Sequence, residues 1–391
     1  MNIVFINYDR YSGCSGVHIH FLANALADRG HRCLVLLPSP NNDDEYFGKP
    51  CYATMDSSDA LHLAQRGSPL FRNAVLHAWT PRERVRIVTE GLAAATGRPY
   101  FVHLEDNERY ILEKVYKAPF ERLYAAAKRG HVEISPNYCH PVLHQRFLEG
   151  AAGVTCIIEG LRRFVPADVP SLVFWPACED AFFRLSPVPN LRMRAQLGIA
   201  PEATVLVYPG NFHFANAHVM QELYLALDKL AEWGRPVRLI RAGGEYAEIS
   251  PEAGAARDRY VTHVGHVKAT ALPGLIGMAD ILVQPGVPGP FDDCRFPSKL
   301  PFFLASGRPV ITSPANLGLY LKHGEHCLFL TDSSAEDIAR NVIRLMDDAA
   351  LARRLGENGR DFARRYLSWD KSAARVEAFY QRLSGDEGGR G

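Results

Sequence analysis

The sequence has little of what would mark a specialised class of protein. Its 391 residues carry 44 Lys and Arg against 43 Asp and Glu, which leaves a formal net charge of +1. Nucleic-acid-binding proteins carry a clear basic excess, so this balance argues against that class. The eight cysteines form no CxxC pair, and no His/Cys cluster has zinc spacing. Scattered cysteines of this kind favour a reduced, cytoplasmic protein.

Long hydrophobic runs are also missing. No uninterrupted apolar segment is long enough to span a bilayer. Met1 leads almost directly into the strand-like residues 3–6, without the charged and apolar regions of a signal peptide. Peripheral contact with a membrane, such as the inner membrane face, stays open. The basic and aromatic residues 162–164 are a candidate contact for anionic lipid, with a solvated helix end as the simpler interpretation.

What is present is a repeated alternation of strand-like and helix-like segments, which is typical of a parallel α/β fold. Strands are predicted at 3–6, 33–37, 74–78, 100–103 and 154–158, and then at 205–208, 237–240, 261–264, 281–283 and 309–312. Prolines cluster at 170–190, between the two sets. A chain of this length has room for two cores.

We therefore predict two doubly wound α/β domains, at 1–180 and 181–367, followed by a segment at 368–391. That segment consists of a last amphipathic helix at 369–383 and a frayed tail. In such sheets ligands bind at the carboxyl ends of the strands, and several predicted strands in the second half end at Gly, Asn, His or Gln. The first βα turn, at residues 8–16, lacks a G-x-G-x-x-G sequence, which disfavours an NAD-dependent dehydrogenase.

Residues 296–311 form the most informative motif. Lys299 opens an apolar helical run that ends at Gly307, before a short β-branched strand. Free backbone N–H groups at a helix N-terminus favour an anion, whereas a cation there opposes the helix dipole unless it serves a ligand. We predict that Lys299, with the N–H groups of Ser298 and Leu300, holds a diphosphate. An ordinary helix–strand unit is the alternative.

The same motif resembles the donor site of retaining glycosyltransferases with the GT-B fold, the family-four-like group. Further short motifs occur in a similar order, at 12–16, 30–31, 191–199, 264–267, 279–281, 324–328 and 368–369. The resemblance spans roughly residues 1–35 and 150–383. It implies two facing Rossmann-like domains, the last helix crossing back to the first domain, and retaining sugar transfer without a bound metal or a cofactor. The nucleoside-diphosphate-sugar would be the co-substrate.

The resemblance implies a donor site in the second domain, aided by the first loop. Candidate donor contacts are Gly16, Gly210, Asn211, Arg241, Gly243, Gly265, His266, Val267, Gln284, Gly286, Asp292, Ser298 and Leu300. We expect Arg241 to be either a second cation that binds a phosphate or, equally, a surface arginine. The glycines would let the backbone approach the donor, with plain turns as the alternative.

The chain departs from the family at an E-x7-E pair of glutamates, where it has Cys294 and Phe302. Relatives also carry Arg and Lys after the first glycine of the donor domain, where residues 211–216 contain neither. Asp292 and Asp293 lie nearby, and Asp293 is a catalytic candidate unless both are solvated loop residues.

On the acceptor side, His103 ends a strand where relatives place a histidine near the sugar, and it is a catalytic candidate that would orient a hydroxyl. A structural histidine is the alternative. His18 and His20 are interpreted as ordinary helix residues. The other candidate acceptor contacts are His77, Trp79, Glu105 and Asp106.

Three hypotheses follow from these residues. The first is a retaining glycosyltransferase that acts on a saccharide, lipid-linked or small-molecule hydroxyl acceptor. The second is a non-catalytic GT-B protein that binds a nucleotide or supports a partner, which the missing glutamates favour. The third is a nucleotide-sugar epimerase. The sequence leaves the sugar, the base, the acceptor and the oligomeric state open.

Overall fold

The computed structural model describes residues 1–39 and 46–384. The chain divides into two compact units. The first comprises Met1–Pro176, Cys294–Phe296 and the segment that begins at Trp369; the second comprises Ala177–Asp293 and Pro297–Ser368. The division lies at Pro176 rather than at the predicted residue 180. The predicted tail beyond residue 384 lies outside the described residues.

The first unit is built on a seven-stranded parallel sheet of order β3-β2-β1-β4-β5-β6-β7. Its strands are β1 (Asn2–Ile6), β2 (Arg32–Leu37), β3 (Ala53–Asp56), β4 (Ala74–Trp79), β5 (Tyr100–Leu104), β6 (Gly153–Cys156) and β7 (Ser171–Val173). Its first six helices are α1 (Cys14–Asp28), α2 (Ser57–Gln65), α3 (Glu83–Thr96), α4 (Glu108–Tyr116), α5 (Phe120–Lys128) and α6 (Leu143–Glu149). The central strands read as continuous apolar runs because helices cover both faces of a parallel sheet.

The second unit has a six-stranded parallel sheet of order β10-β9-β8-β11-β12-β13. The strands are β8 (Thr204–Pro209), β9 (Val237–Ala242), β10 (Val261–His263), β11 (Ile281–Gln284), β12 (Val310–Thr312) and β13 (Leu328–Phe329). The helices are α7 (Asp180–Phe183), α8 (Leu191–Gln196), α9 (Ala217–Glu232), α10 (Pro251–Tyr260), α11 (Leu272–Ile276), α12 (Leu300–Ala305), α13 (Ala335–Asp347) and α14 (Ala349–Tyr366). Short 3₁₀ turns lie at Pro69–Phe71, Glu159–Phe164, Ala269–Ala271, Asp292–Cys294 and Asn316–Tyr320.

Both sheets reverse their strand order once, between β1 and β4 in the first unit and between β8 and β11 in the second. Loops diverge at such a switch point and leave a crevice at the carboxyl ends of the strands. The predicted fold class, two doubly wound α/β domains, is confirmed. The strands β3, β7 and β13 were not predicted, because β3 is an exposed edge strand, β7 lies within the proline-rich segment interpreted as a linker, and β13 is only two residues long.

The last helix, α15 (Trp369–Leu383), belongs to the first unit. Its Phe379 and Tyr380 rings lie 5.6 and 4.9 Å from the Phe101 ring of β5. Gly153 of β6 makes room for it, because a Cβ there would lie 2.7 Å from Phe379. The helix α15 therefore packs on the sheet that contains β1.

Two helical glycines of the second unit give a matched stability test. A Cβ on Gly356 of α14 would lie 2.1 Å from the Gly307 carbonyl oxygen, whereas a Cβ on Gly254 of α10 meets nothing closer than 3.9 Å. We expect Gly356→Ala to cost about 1–3 kcal/mol of unfolding free energy through overpacking. Gly254→Ala should gain about 0.5–1 kcal/mol through helix propensity. Urea-unfolding midpoints that shift the same way in both variants would contradict this packing.

Candidate functional site

Three glycine turns pack together at the carboxyl ends of β8, β9 and β10. The Gly210 N–H donates to the Ala242 carbonyl at 2.8 Å, and the Gly243 N–H donates to the Gly265 carbonyl at 2.8 Å. Gly243 has φ +109°, and a Cβ there would lie 2.7 Å from the Gly210 carbonyl carbon. The turns at Gly210, Gly243 and Gly265, together with Lys299, are called the glycine-turn site below. Only glycine lets these backbones approach so closely.

Asn211 holds two of these turns together. Its Oδ1 accepts from the Gly244 N–H at 2.8 Å, and its own carbonyl accepts from Asn216 Nδ2 at 2.8 Å. Asn216 is buried at the start of α9, where its Oδ1 accepts from the His213 N–H. These amides fill positions where the resemblance implied cations, and they fix the loop through hydrogen bonds rather than through charge.

Arg241 is not the surface arginine that the sequence offered as one alternative. It is fully buried, and its guanidinium donates to the carbonyls of Gly210 and Gly244 and to the Glu245 carboxylate, at 3.4, 3.1 and 3.2 Å. Those bonds tie the charge to the turns, and its role as a second phosphate cation stays a prediction. Its five-donor fork suits it to bridging several carbonyls at once.

Lys299 lies against the glycine turn. Its ammonium is 4.8 Å from the centre of the Tyr208 ring, and a Cβ on Gly210 would lie 2.5 Å from its Cε. Within residues 1–39 and 46–384, no carboxylate forms an ion pair with this ammonium. The arrangement leaves a half-buried positive charge beside half-buried turn glycines, which suits an anionic ligand.

The helix that Lys299 opens, α12, offers fewer free backbone N–H groups for a phosphate than predicted. Lys299 itself caps Leu300–Ala305, but the Leu300 N–H already donates to the Pro297 carbonyl at 2.8 Å. Leu300 is buried and Ser298 is exposed. The prediction that the Leu300 N–H is free for a phosphate is therefore wrong, because this short turn satisfies it internally.

The remaining predicted donor contacts differ in their exposure and in their hydrogen-bond partners. His266 Nε2 lies 3.5 Å from Tyr246 Oη, and both residues are exposed, while Val267 is half-buried. Gln284 is buried at the end of β11, and its Oε1 has no hydrogen-bond partner among the described residues. The Gly286 N–H donates to Ser333 Oγ at 3.3 Å.

The two acidic residues of the following turn bind their own loop. Asp292 Oδ2 accepts from the Val287 N–H at 3.2 Å, and the Asp293 N–H donates to the Gly289 carbonyl at 2.9 Å. Asp292 also accepts at its carbonyl from Asn316 Nδ2 at 3.2 Å. The catalytic role of Asp293 stays a prediction.

A second polar cluster lies at the carboxyl ends of β4 and β5 in the first unit. Glu105 is buried and accepts from Ser15 Oγ and from His18 Nδ1, the latter at 2.9 Å. Burial alone would raise the pKa of Glu105, but the hydrogen bond and charge of His18 outweigh it and lower the pKa to about 2. His18 is thus a partner of a buried carboxylate and not the ordinary helix residue that the sequence suggested.

Three other first-unit residues have close neighbours. His20, interpreted as an ordinary helix residue, lies within hydrogen-bond distance of both Tyr11 and Tyr52, at 2.9 and 2.8 Å. A Cβ on Gly16 would lie 1.9 Å from the Tyr11 carbonyl oxygen, so loop packing already requires glycine there, and its approach to a sugar stays a prediction. Asp106 is half-buried, Arg82 lies 3.8 Å from its carboxylate, and its acceptor contact stays a prediction too.

Arg82 organises the charges of this cluster. Its Nε donates to Glu108 Oε1 at 2.9 Å, and its guanidinium carbon lies 4.1 Å from the centre of the Tyr8 ring. Burial raises the pKa of Glu108 to about 7 and raises that of Asp106 as well, against the opposing charge of Arg82. The residues Ser15, His18, Arg82, Glu105, Asp106 and Glu108 are called the carboxylate cluster below.

We expect the unfolding free energy of the wild type and that of Glu108→Gln to depend differently on pH. Because the folded pKa of about 7 lies above the ordinary 4.5, the folded state holds the Glu108 proton more tightly, and stability falls as pH rises through this interval. The Glu108→Gln variant has no such proton to lose. Between pH 4.5 and 7, the unfolding free energy of the wild type should therefore decrease by about 2–3 kcal/mol relative to that of the variant. Urea unfolding at several pH values measures it, with the exposed Glu121→Gln as control. Parallel curves for wild type and Glu108→Gln would contradict it.

His77, Trp79 and His103 are enclosed in the first unit, which differs from the prediction that they line an open pocket. All three are fully buried. His103 lies between the rings of Trp79 and Phe174, at 4.1 and 5.1 Å, and burial lowers its pKa to about 3. They face inward because β4 and β5 are central strands that are covered on both faces.

Residues 1–39 and 46–384 contain neither a cluster of metal ligands nor a helix that could cross a membrane. Over these residues, no group of three or more His, Cys, Asp or Glu side chains is arranged to hold a metal ion. No described helix has the length and hydrophobicity needed to cross a membrane.

One protein-family model matches part of the chain. Residues 203–348 match the model of glycosyl transferases group 1. This region contains the whole glycine-turn site and Arg241. The match covers most of the second unit and, of the first unit, only Cys294–Phe296.

Curated relatives match over short segments. An uncharacterized glycosyltransferase, MJ1178, of Methanocaldococcus jannaschii is 30% identical over 82 residues, which are 21% of this chain and 23% of the relative. A second glycosyltransferase of that organism is matched over 36% of its length. The chain thus matches well under half the length of these relatives.

Solved structures match over nearly the whole chain. Alr3699/HepE of Anabaena, in complex with UDP and glucose, has TM-score 0.70 and 16% identity over 98% of this chain and 100% of that chain. A glycosyltransferase of Rickettsia africae has TM-score 0.71 and 12% identity over 99% of both chains. At these identities the likeness shows the fold, two Rossmann-like domains of the GT-B type.

Proposed function

We propose that this protein is a metal-independent, retaining glycosyltransferase that moves a sugar, a hexose in the first instance, from a nucleoside diphosphate to a hydroxyl acceptor. The observation that carries the proposal is the Lys299 ammonium, which lies against Gly210 without a carboxylate partner in the described residues. The family match of residues 203–348 supports the same activity.

The chemistry required of the second unit is stabilisation of a leaving diphosphate. Negative charge grows on that group as the glycosidic bond breaks, and fixed donors aimed at it lower the barrier. Lys299 supplies the charge, and the turn backbone at Gly210 and Gly243 permits close approach of the diphosphate. Arg241 contributes indirectly, because it holds the carbonyls of both turns from beneath.

Donor and acceptor are assigned to different units. The Anabaena neighbour is in complex with UDP and glucose, which makes a UDP-sugar the first donor to test. For the acceptor we propose the carboxylate cluster, in which Glu105 and Asp106 offer hydrogen-bond acceptors to a saccharide, lipid-linked or small-molecule hydroxyl. All eight cysteines are free, which favours a cytoplasmic site of action.

A non-catalytic nucleotide-binding role is the second candidate, and one observation favours it. Phe302 replaces the family's second glutamate, which binds the nucleotide ribose, and its ring stacks on Phe182 at 5.0 Å. An apolar side chain that packs internally cannot replace a carboxylate that binds hydroxyls.

Binding calorimetry with UDP, GDP, ADP and UDP-glucose in the presence of EDTA tests the donor assignment. We expect one base to bind well above the others and without metal. Binding of none of them, at ligand concentrations far above typical affinities, would overturn the proposal. Binding of a diphosphate without turnover of any sugar nucleotide would favour the second candidate.

A further inference from the structure

Two arginines of the first unit lie over one aromatic ring. The guanidinium carbon of Arg109 is 5.7 Å from the centre of the Phe164 ring, and that of Arg163 is 5.8 Å from the same centre. Both arginines are exposed, and Phe164 is half-buried. Arg109 and Arg163 are called the arginine pair below. Their two positive charges are thus close together and accessible from solvent.

The topology of the first sheet places the arginine pair beside the carboxylate cluster. Arg109 lies in the first turn of α4, which follows β5, and Arg163 lies in the 3₁₀ turn Glu159–Phe164, which follows β6. The strands β5 and β6 are parallel neighbours, so both turns begin at the same edge of the sheet. Glu108 of the carboxylate cluster immediately precedes Arg109 in the chain. In doubly wound sheets this edge is the one at which ligands bind.

Nearby carboxylates do not neutralise the arginine pair. Glu113 lies four residues after the first arginine, and it accepts from the Phe120 N–H at 2.8 Å. Glu159 lies four residues before the second arginine, and it accepts from Trp175 Nε1 at 3.2 Å. Within residues 1–39 and 46–384, neither arginine forms an ion pair with a carboxylate. Because like charges repel at short distance, an anion that binds between them removes an unfavourable interaction.

The arginine pair is held in place by the protein itself. The Arg109 guanidinium also lies over the Phe120 ring, at 4.8 Å. Arg163 Nε donates to the Gly160 carbonyl at 2.8 Å, and its Nη2 donates to Cys294 Sγ at 3.3 Å. A guanidinium held in this way loses little conformational entropy when it binds a ligand, and its remaining N–H groups match the geometry of a phosphate.

We propose that the arginine pair binds a phosphate group carried by the hydroxyl acceptor. This assignment rests on the proposed function and names its acceptor class, a phosphate ester of a saccharide or of a lipid. The two positive charges match a phosphate monoester, which carries about −1.5 to −2 at pH 7. The bound phosphate holds the acceptor beside the carboxylate cluster, where Glu105 and Asp106 accept hydrogen bonds from its hydroxyl groups.

Nitrogen-15 NMR of the arginine side chains tests the phosphate site independently of any reaction. Inorganic phosphate is titrated at constant ionic strength into Lys299→Ala, in which the proposed diphosphate site is weakened. The two Nε–H signals are assigned by their loss in Arg109→Gln and Arg163→Gln. We expect both signals to move along one binding curve, and each further substitution to weaken phosphate binding about 10–100-fold. Signals that do not move would overturn the proposal.

Arg162→Gln is the matched control, because Arg162 is an exposed arginine of the same 3₁₀ turn and lies over no ring in the described part of the chain. It removes the same charge and should change the affinity for phosphate by no more than about twofold. A loss equal to that in Arg163→Gln would show a general electrostatic effect and would overturn the assignment to the arginine pair.

Two competitors of inorganic phosphate distinguish the sources of the phosphate group. Glucose 6-phosphate represents a soluble acceptor, and vesicles of phosphatidylcholine and phosphatidic acid represent a lipid acceptor. We expect one of them to displace inorganic phosphate from the arginine pair, and the one that does identifies the source. If neither competes, the site does not accept a phosphate ester, which would overturn the proposal.

Transfer kinetics separate a failure of this assignment from a failure of the proposed function. With a UDP-sugar as donor, kcat/KM for the better competitor should exceed that for its counterpart without phosphate, glucose or diacylglycerol, about 10–100-fold. Arg109→Gln should abolish this preference while the KM for the donor stays within about twofold. Equal transfer to both acceptors would overturn the assignment and leave glycosyl transfer intact. If phosphate moves the arginine signals but no sugar is ever transferred, the anion site stands and the proposed function fails.

Discussion

Replacement of Lys299 by alanine is expected to lower kcat/KM by about 10²–10³-fold, the usual loss when one preorganised group at a developing negative charge is removed. The ammonium has no carboxylate partner in the described residues, so its charge is available to the leaving diphosphate. Nucleoside diphosphate binding should weaken by a smaller factor, because charge on the leaving group is greatest in the transition state. Steady-state kinetics and calorimetry on the same preparation measure both.

The matched control is Lys229→Ala, which removes a lysine from the exposed face of α9 in the same unit. It should change neither turnover nor binding, because surface pairs contribute little. Equal losses in the two lysine variants would point to a general electrostatic effect. Full turnover in Lys299→Ala would remove this residue from the mechanism.

Replacement of Arg241 by methionine is expected to cost about 3–5 kcal/mol of unfolding free energy, since it leaves buried carbonyls and the Glu245 carboxylate without their donor. The side chain is fully buried and bonds to Gly210, Gly244 and Glu245. Nucleotide binding should fall with stability, because the same bonds shape the turns. Urea unfolding and calorimetry report the two effects separately.

Arg259→Met serves as the control for this substitution, because Arg259 is exposed and pairs with Asp228 at the surface. Its cost should stay within about 1 kcal/mol. If Arg241→Met unfolds like wild type but no longer binds the nucleotide, Arg241 is a direct ligand contact after all. That result would support the phosphate-binding role predicted from its sequence position.

The parts of the structure that sequence could predict are those encoded locally. Apolar runs such as residues 3–6 and 281–283 become central strands because both of their faces need burial. Turn glycines such as Gly243 and Gly265 could be predicted because they follow the apolar runs of β9 and β10, and both take up positive φ in the structure. The position of Lys299 before α12 is equally local.

The parts that could not be predicted depend on partners far apart in the chain. Ser15 and His18 meet Glu105 across about 90 positions, and no periodicity records such a pair. Arg241 looks like any charged residue at a strand end, and only the packed turns show that its charge is buried. The Tyr380–His77 bond joins residues 303 positions apart.

The stereochemistry of transfer tests the proposed retaining transfer most directly, and proton NMR monitors it in a reaction with a UDP-sugar, a panel of hydroxyl acceptors and EDTA. We expect release of UDP together with a product that keeps the anomeric configuration of the donor, and loss of both in Lys299→Ala. An inverted product, dependence on an added metal, or an epimerised sugar formed without acceptor would contradict it.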